Sequence, residues 1–133
     1  MPPVVKLVED LKLTDRVEFV KGTKDVAEYY SKAKIFAFTS TTEGFPNALG
    51  EALSTPLASI SYDCVAGPAD LIEDGVNGFL IKEMEHQDYI NKLRLLMNND
   101  EQRVQFETEA AKKIQKFNIN SIGNLVYDFI TKA

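Results

Sequence analysis

Two glutamates, Glu43 and Glu51, stand with Gly-Phe-Pro-Asn-Ala-Leu-Gly between them. A carboxylate accepts hydrogen bonds from paired hydroxyls, and sugars offer such pairs. The stretch before Glu43, Phe36-Ala-Phe, is apolar and reads as a buried strand. The residues after the Gly-Phe-Pro turn are small and helix-compatible. Ligand-binding α/β proteins seat their ligands where a strand's carboxyl end meets the N-terminus of the next helix. The opening amides of that helix lack intrahelical partners and favour an anion. A phosphate-ready helix start flanked by two hydroxyl-binding carboxylates suits a nucleotide-sugar. Each glutamate also has an ordinary reading: Glu51 as a solvated helix residue, Glu43 as a polar residue at a strand end.

Other chemistries find little support. His86 is the only histidine and Cys64 the only cysteine. A zinc site needs more ligands than that, and a Ser/His/Asp set has no well-placed base. No internal disulfide can form, so a reducing, cytoplasmic setting is the natural one. Net charge is −5, which argues against nucleic acid or anionic lipid as a partner. Met1-Pro-Pro-Val-Val-Lys is not a signal peptide, and no run approaches the ~18 apolar residues of a membrane span.

The elements that must hold these residues alternate. Pro2 and Pro3 suit a helix start, and Val4, Leu7, Val8 and Leu11 then share one helical face. Val17 to Val20 reads as a strand ended by Gly22. Asp25 stands near the start of a helix through Lys32, with Val26, Tyr29 and Tyr30 inward. Ile35 to Phe38 is apolar on both faces, as a central parallel strand should be. The motif helix runs to Ser54 and Pro56 stops it. Strands follow at Ala58 to Ser61 and Phe79 to Ile81, separated by a short helix near Ala69 to Glu73 and the turn signals Asp74-Gly75 and Asn77-Gly78. The remainder is helical, near Gln87–Asn98, Glu101–Lys116 and Ile119–Lys132, with Asn118, Asn120 and Ser121 as candidate caps. This alternation predicts a three-layer, Rossmann-like α/β domain with a mainly parallel sheet of about four strands and C-terminal helices.

Glu43-Gly-Phe-Pro-Asn-Ala-Leu-Gly-Glu-Ala-Leu53 resembles the E-x7-E signature of retaining glycosyltransferases of family 4, which have the GT-B architecture of two Rossmann-like domains around a cleft. Leu13–Gly22, Asp25–Phe36 and Gly67–Leu80 resemble the segments that surround this signature. The resemblance implies that Glu51 binds the ribose hydroxyls and that Glu43 contacts the donor sugar near its anomeric carbon as the catalytic residue. It implies that Gly44, Phe45, Pro46 and Asn47 face the sugar and β-phosphate, largely through backbone amides, of which Pro46 has none. Leu49 and Gly50 would allow close packing against the nucleotide, and Val20, Lys21 and Gly22 would hold the base. The donor would be a nucleotide-diphosphate sugar with no metal or further cofactor. The product would belong to polysaccharide, O-antigen or glycolipid synthesis.

The resemblance also implies absences. Residues 1–133 match only part of a donor-binding domain: its first two strand–helix units, and the whole N-terminal acceptor domain, have no counterpart. The chain then reads as a truncation, and any membrane contact would come through the absent domain of a cytoplasmic or membrane-peripheral enzyme. Ser54-Thr-Pro-Leu-Ala58 departs from the family's small-Cys-Gly-x-Pro stretch. In the family's strand order, 3-2-1-4-5-6, the missing first two strands lie between strand 17–20 and strand 35–38. The expectation is that strand 17–20 closes that gap and pairs with 35–38, because an open apolar edge is sticky. A non-catalytic nucleotide- or phosphate-binding module is the main alternative. A glycosidase using Glu43 and Glu51 ranks below it, since it needs carboxyls ~5–5.5 Å apart across one bond.

Overall fold

The computed structural model describes residues 3–55 and 57–132. Helix α1 (Pro3–Asp10) and an irregular stretch lead to helix α2 (Val26–Lys32), strand β1 (Ile35–Phe38) and helix α3 (Asn47–Ser54). Strand β2 (Ala58–Asp63), helix α4 (Pro68–Leu71) and strand β3 (Phe79–Lys82) follow, then helices α5 (His86–Asn98) and α6 (Asp100–Ile114), a 3-10 turn (Gln115–Phe117) and helix α7 (Ile119–Thr131). The sheet is parallel throughout, in the order β1-β2-β3. A helical crossover joins each strand to its neighbour, as parallel pairing demands. Pro2 and Pro56, expected to open α1 and to stop α3, lie outside the described residues.

The central strand β2 is buried along all but its last residue, Asp63. Its two faces build two cores, since successive side chains point to opposite sides. Ala58, Ile60 and Tyr62 join Phe79, Ile81, Tyr89, Leu96 and Phe106 beneath α5. The other face lies under α3 and α4, where Leu49, Leu53, Leu71, Ile72 and Ala110 cluster against Phe36, Phe38 and Leu80. Helix α6 serves both cores through Phe106 and Ala110, which are one turn apart. On that second face β2 presents Ser59 and Ser61, both fully buried. Small residues are required there. A Cβ on Gly78 would stand 2.8 Å from the Ser59 carbonyl oxygen, so the backbones approach closely. Each serine hydroxyl donates to a nearby carbonyl, Leu57 at 3.1 Å and Tyr62 at 2.8 Å.

Three strands form rather than four. Val17–Val20 is irregular, and Val17, Phe19 and Val20 are exposed. A strand needs a ladder as well as β-prone side chains, and no described residue pairs with this segment. Closure of strand 17–20 onto 35–38 therefore does not occur. β1 pairs only with β2 among the described residues, and it is a half-buried edge strand with Ala37 exposed, not a central one. Other differences are local. Tyr29 points outward, while Val26 and Tyr30 are half-buried. Of the apolar face expected on α1, only Val8 is buried. Asp25 precedes α2 without capping it through its side chain. Asn118 is the cap of α7, accepting from the Ser121 amide at 2.8 Å.

Candidate functional site

Between Phe38 and α3 the chain turns through Gly44-Phe45-Pro46. Pro46 occupies the N-cap position of α3 and brings no side-chain acceptor. The first-turn amides of α3 therefore lack the side-chain cap that usually meets them, which favours an external anion. Pro46 itself is fully buried. It is wedged under Gly67, whose φ of +116° and lack of a side chain let the two loops meet.

A cleft of about 720 Å3 opens beside this helix start. Lys24 and Tyr30 from the α2 side and Phe45, Asn47, Gly50 and Glu51 from the α3 side form one wall. Ile114, Phe117 and Asn118 close it from the α6–α7 junction, where Phe117 lies 6.4 Å from the Phe45 ring. The volume falls within the range that holds a drug-sized ligand, roughly 300–1,000 Å3. The lining mixes one carboxylate, one ammonium, amide side chains and three aromatic rings, the kinds of group that recognise a ribose, a phosphate and a base.

The expected site residues divide. Phe45, Asn47, Gly50 and Glu51 meet at the cleft. Leu49 is fully buried and belongs to the core beneath α3, and Gly44 has open space around its Cα. Val20, Lys21 and Gly22 are exposed and do not line the cleft; Lys24, Val26 and Ala27 do so instead. Glu43 is half-buried and also does not line it. It stands close enough to Cys64, just past β2, for its charge to act on that thiol. Burial first, and the carboxylates of Glu43, Glu83 and Asp63 after it, hold the thiol above its usual range against a backbone hydrogen bond that lowers it. Of the two carboxylates expected to share one cleft, Glu51 lines the cleft described here and Glu43 does not.

Tyr30 carries no pattern that singles it out, because a tyrosine at an inward helix position reads as core. Its ring meets Phe36 edge-on at 5.7 Å, and its hydroxyl donates to the Ala48 carbonyl at 3.3 Å. Burial first, then the nearby negative charge of Glu51, raise the Tyr30 hydroxyl above its ordinary pKa. Among the described residues no three His, Cys, Asp or Glu side chains converge as a metal site, and no helix is long and apolar enough to cross a membrane.

Residues 3–113 match the family described as Glycosyl transferases group 1. The chain belongs to that family. Its relatives include an uncharacterized glycosyltransferase of Haemophilus influenzae, 31% identical over 87% of this chain and 33% of the relative. Another is the poly(ribitol-phosphate) alpha-N-acetylglucosaminyltransferase of Staphylococcus aureus, 32% identical over 90% of this chain and 24% of the relative. A crystal structure of a mutant S. aureus TarM in complex with Fondaparinux, alpha-GlcNAc-glycerol and UDP superposes with a TM-score of 0.84 at 27% identity, over 96% of this chain and 26% of that one. The chain thus spans a third or less of the length of these family members, and the GT-B, Rossmann-like character of its α/β fold agrees with them.

Proposed function

We propose that this chain is the nucleotide-sugar-binding part of a retaining glycosyltransferase of family 4, corresponding to the C-terminal side of a GT-B donor domain. The whole enzyme would pass a hexose or N-acetylhexosamine from a nucleotide diphosphate to a hydroxyl acceptor in polysaccharide or glycolipid synthesis, on the cytoplasmic side. The acceptor-binding residues would lie in the part of the relatives that this chain does not span. The observation that carries the reading is Glu51, one turn into a helix whose start has no side-chain cap, on the wall of a 720 Å3 cleft. A carboxylate there can accept from both hydroxyls of a ribose while the diphosphate reaches the opening amides of α3. Lys24, on the same wall, adds a cation for a phosphate. Glu43 would meet the sugar at the strand ends, outside the nucleotide cleft.

The test is an NMR titration of the 133-residue chain with UDP, UDP-glucose, UDP-N-acetylglucosamine, ADP-glucose and GDP-mannose. Affinity near millimolar, about 4 kcal/mol, is expected from this part alone, with shifts at Lys24, Asn47, Gly50 and Glu51. Glu51→Gln should cost ~1.5–3 kcal/mol, the worth of hydrogen bonds to a charged group. Shifts confined to other surfaces, or a Glu51→Gln chain that binds as well as the original, refute the reading. Nucleotide binding by the chain without turnover in a longer protein that contains it would favour the non-catalytic module instead.

A further inference from the structure

Glu51 is an exposed glutamate on a helix surface, and such a side chain samples many rotamers. A carboxylate that must accept two adjacent hydroxyls gains affinity when it is held in place beforehand. The structure offers one group that can do this. Tyr30 comes from α2, a different element, and its ring is set edge-on against Phe36 of β1. Its hydroxyl reaches the Ala48 carbonyl at 3.3 Å, a long bond. Ala48 precedes Glu51 by three positions, so both lie on one face of α3. Tyr30 and Glu51 line the same cleft.

We infer that Tyr30 is a positioning residue for Glu51, its hydroxyl fixing the carboxylate in the orientation that receives the vicinal hydroxyls of a ribose. A tyrosine has one hydroxyl proton. A bond to a carboxylate is shorter and stronger than one to a neutral carbonyl, so that proton has more to gain at Glu51 than at Ala48. The phenol stays protonated across the working pH range, as burial and the neighbouring charge of Glu51 require. It is therefore always a donor and never a competing anion. The other role open to Tyr30 is packing, which would hold α2 on α3 through the ring alone. The two roles separate chemically, because Tyr30→Phe removes the hydroxyl and keeps the ring on Phe36.

This inference rests on the proposed role of Glu51, and the experiment reads both. UDP and a dideoxy analogue lacking both ribose hydroxyls are titrated into the 133-residue chain and its variants. The original chain should prefer UDP by roughly tenfold or more, the scale of hydrogen bonds to a charged acceptor. Tyr30→Phe should cut that preference several-fold while leaving the affinity for the dideoxy analogue and the melting temperature unchanged. Glu51→Gln should abolish the preference, and adding Tyr30→Phe to it should change nothing more. An intact preference in Tyr30→Phe, or an equal loss for both ligands, overturns the inference while Glu51 keeps its role. A preference that survives Glu51→Gln, or is absent from the original chain, overturns the reading of Glu51 and takes this inference with it.

Discussion

At the scale of single residues, the glycines around the cleft are not equivalent. A Cβ on Gly67 would fall 2.2 Å from Pro46 Cδ, and its φ of +116° suits no other residue. Pro46 is buried and sets the start of α3, so it cannot yield without moving that helix. Gly67→Ala should destabilise the chain by ~1–3 kcal/mol through strain and overpacking. It should also weaken UDP binding, because the α3 amides shift; urea melts and the titration above would show both. Gly44→Ala meets nothing within 4 Å, so its stability should stay within ~0.5 kcal/mol of the original. A loss of UDP affinity in Gly44→Ala would then report close ligand approach alone. Gly67 is the N-cap of α4, and Pro68 is that helix's first residue. The clash that makes Gly67 obligatory comes from a loop distant in the chain, and no local pattern encodes it.

At the scale of elements, legibility followed how much of an element's stability is local. Strands β1, β2 and β3, the motif helix and the capped start of α7 were readable, because an apolar run or an Asn before a helix carries its own reason. Val17–Val20 was not, since its Val-Glu-Phe-Val composition is that of a strand while its state depends on a partner. The positions of Glu43 and Tyr30 were also out of reach: E-x7-E fixes spacing along the chain, not which wall each side chain faces. Arg103 is a further case. It reads as one more charged residue on α6, yet it is 7% exposed. Its Nη1 donates to the Leu96 carbonyl in the last turns of α5 at 2.5 Å, and its Nη2 pairs with Asp100. A cation there satisfies a carbonyl near the helix end and complements its dipole. Arg103→Met should therefore cost ~1–3 kcal/mol by leaving a buried acceptor unpaired. Asp100→Asn should cost less than ~1 kcal/mol, because Asp100 is largely in solvent. Equal losses in denaturant melts of the two variants would contradict this assignment.

At the scale of the whole molecule, the surface is more apolar than a solitary chain tolerates well. Helix α7 buries no residue, and Ile119, Leu125, Phe129 and Ile130 are each at least 65% exposed. Val4 and Leu7 on α1, and Leu11 just after it, are exposed, and the outer edge of β1 has no described partner. Contiguous apolar surface and an open strand edge both promote association. The net charge of −5 opposes it, and salt screens that repulsion over about 10 Å at 0.1 M. The purified 133-residue chain should therefore self-associate at micromolar concentration, and more strongly as salt rises. Sedimentation equilibrium at two ionic strengths would measure this. The paired change Leu125→Glu and Phe129→Glu should shift the chain toward monomer without lowering its melting temperature, because neither side chain contributes to a core cluster. If the chain is monomeric at high salt, the exposed face of α7 is not what drives contact. If the double variant unfolds, α7 is part of the fold's stability and its apolar face is not free.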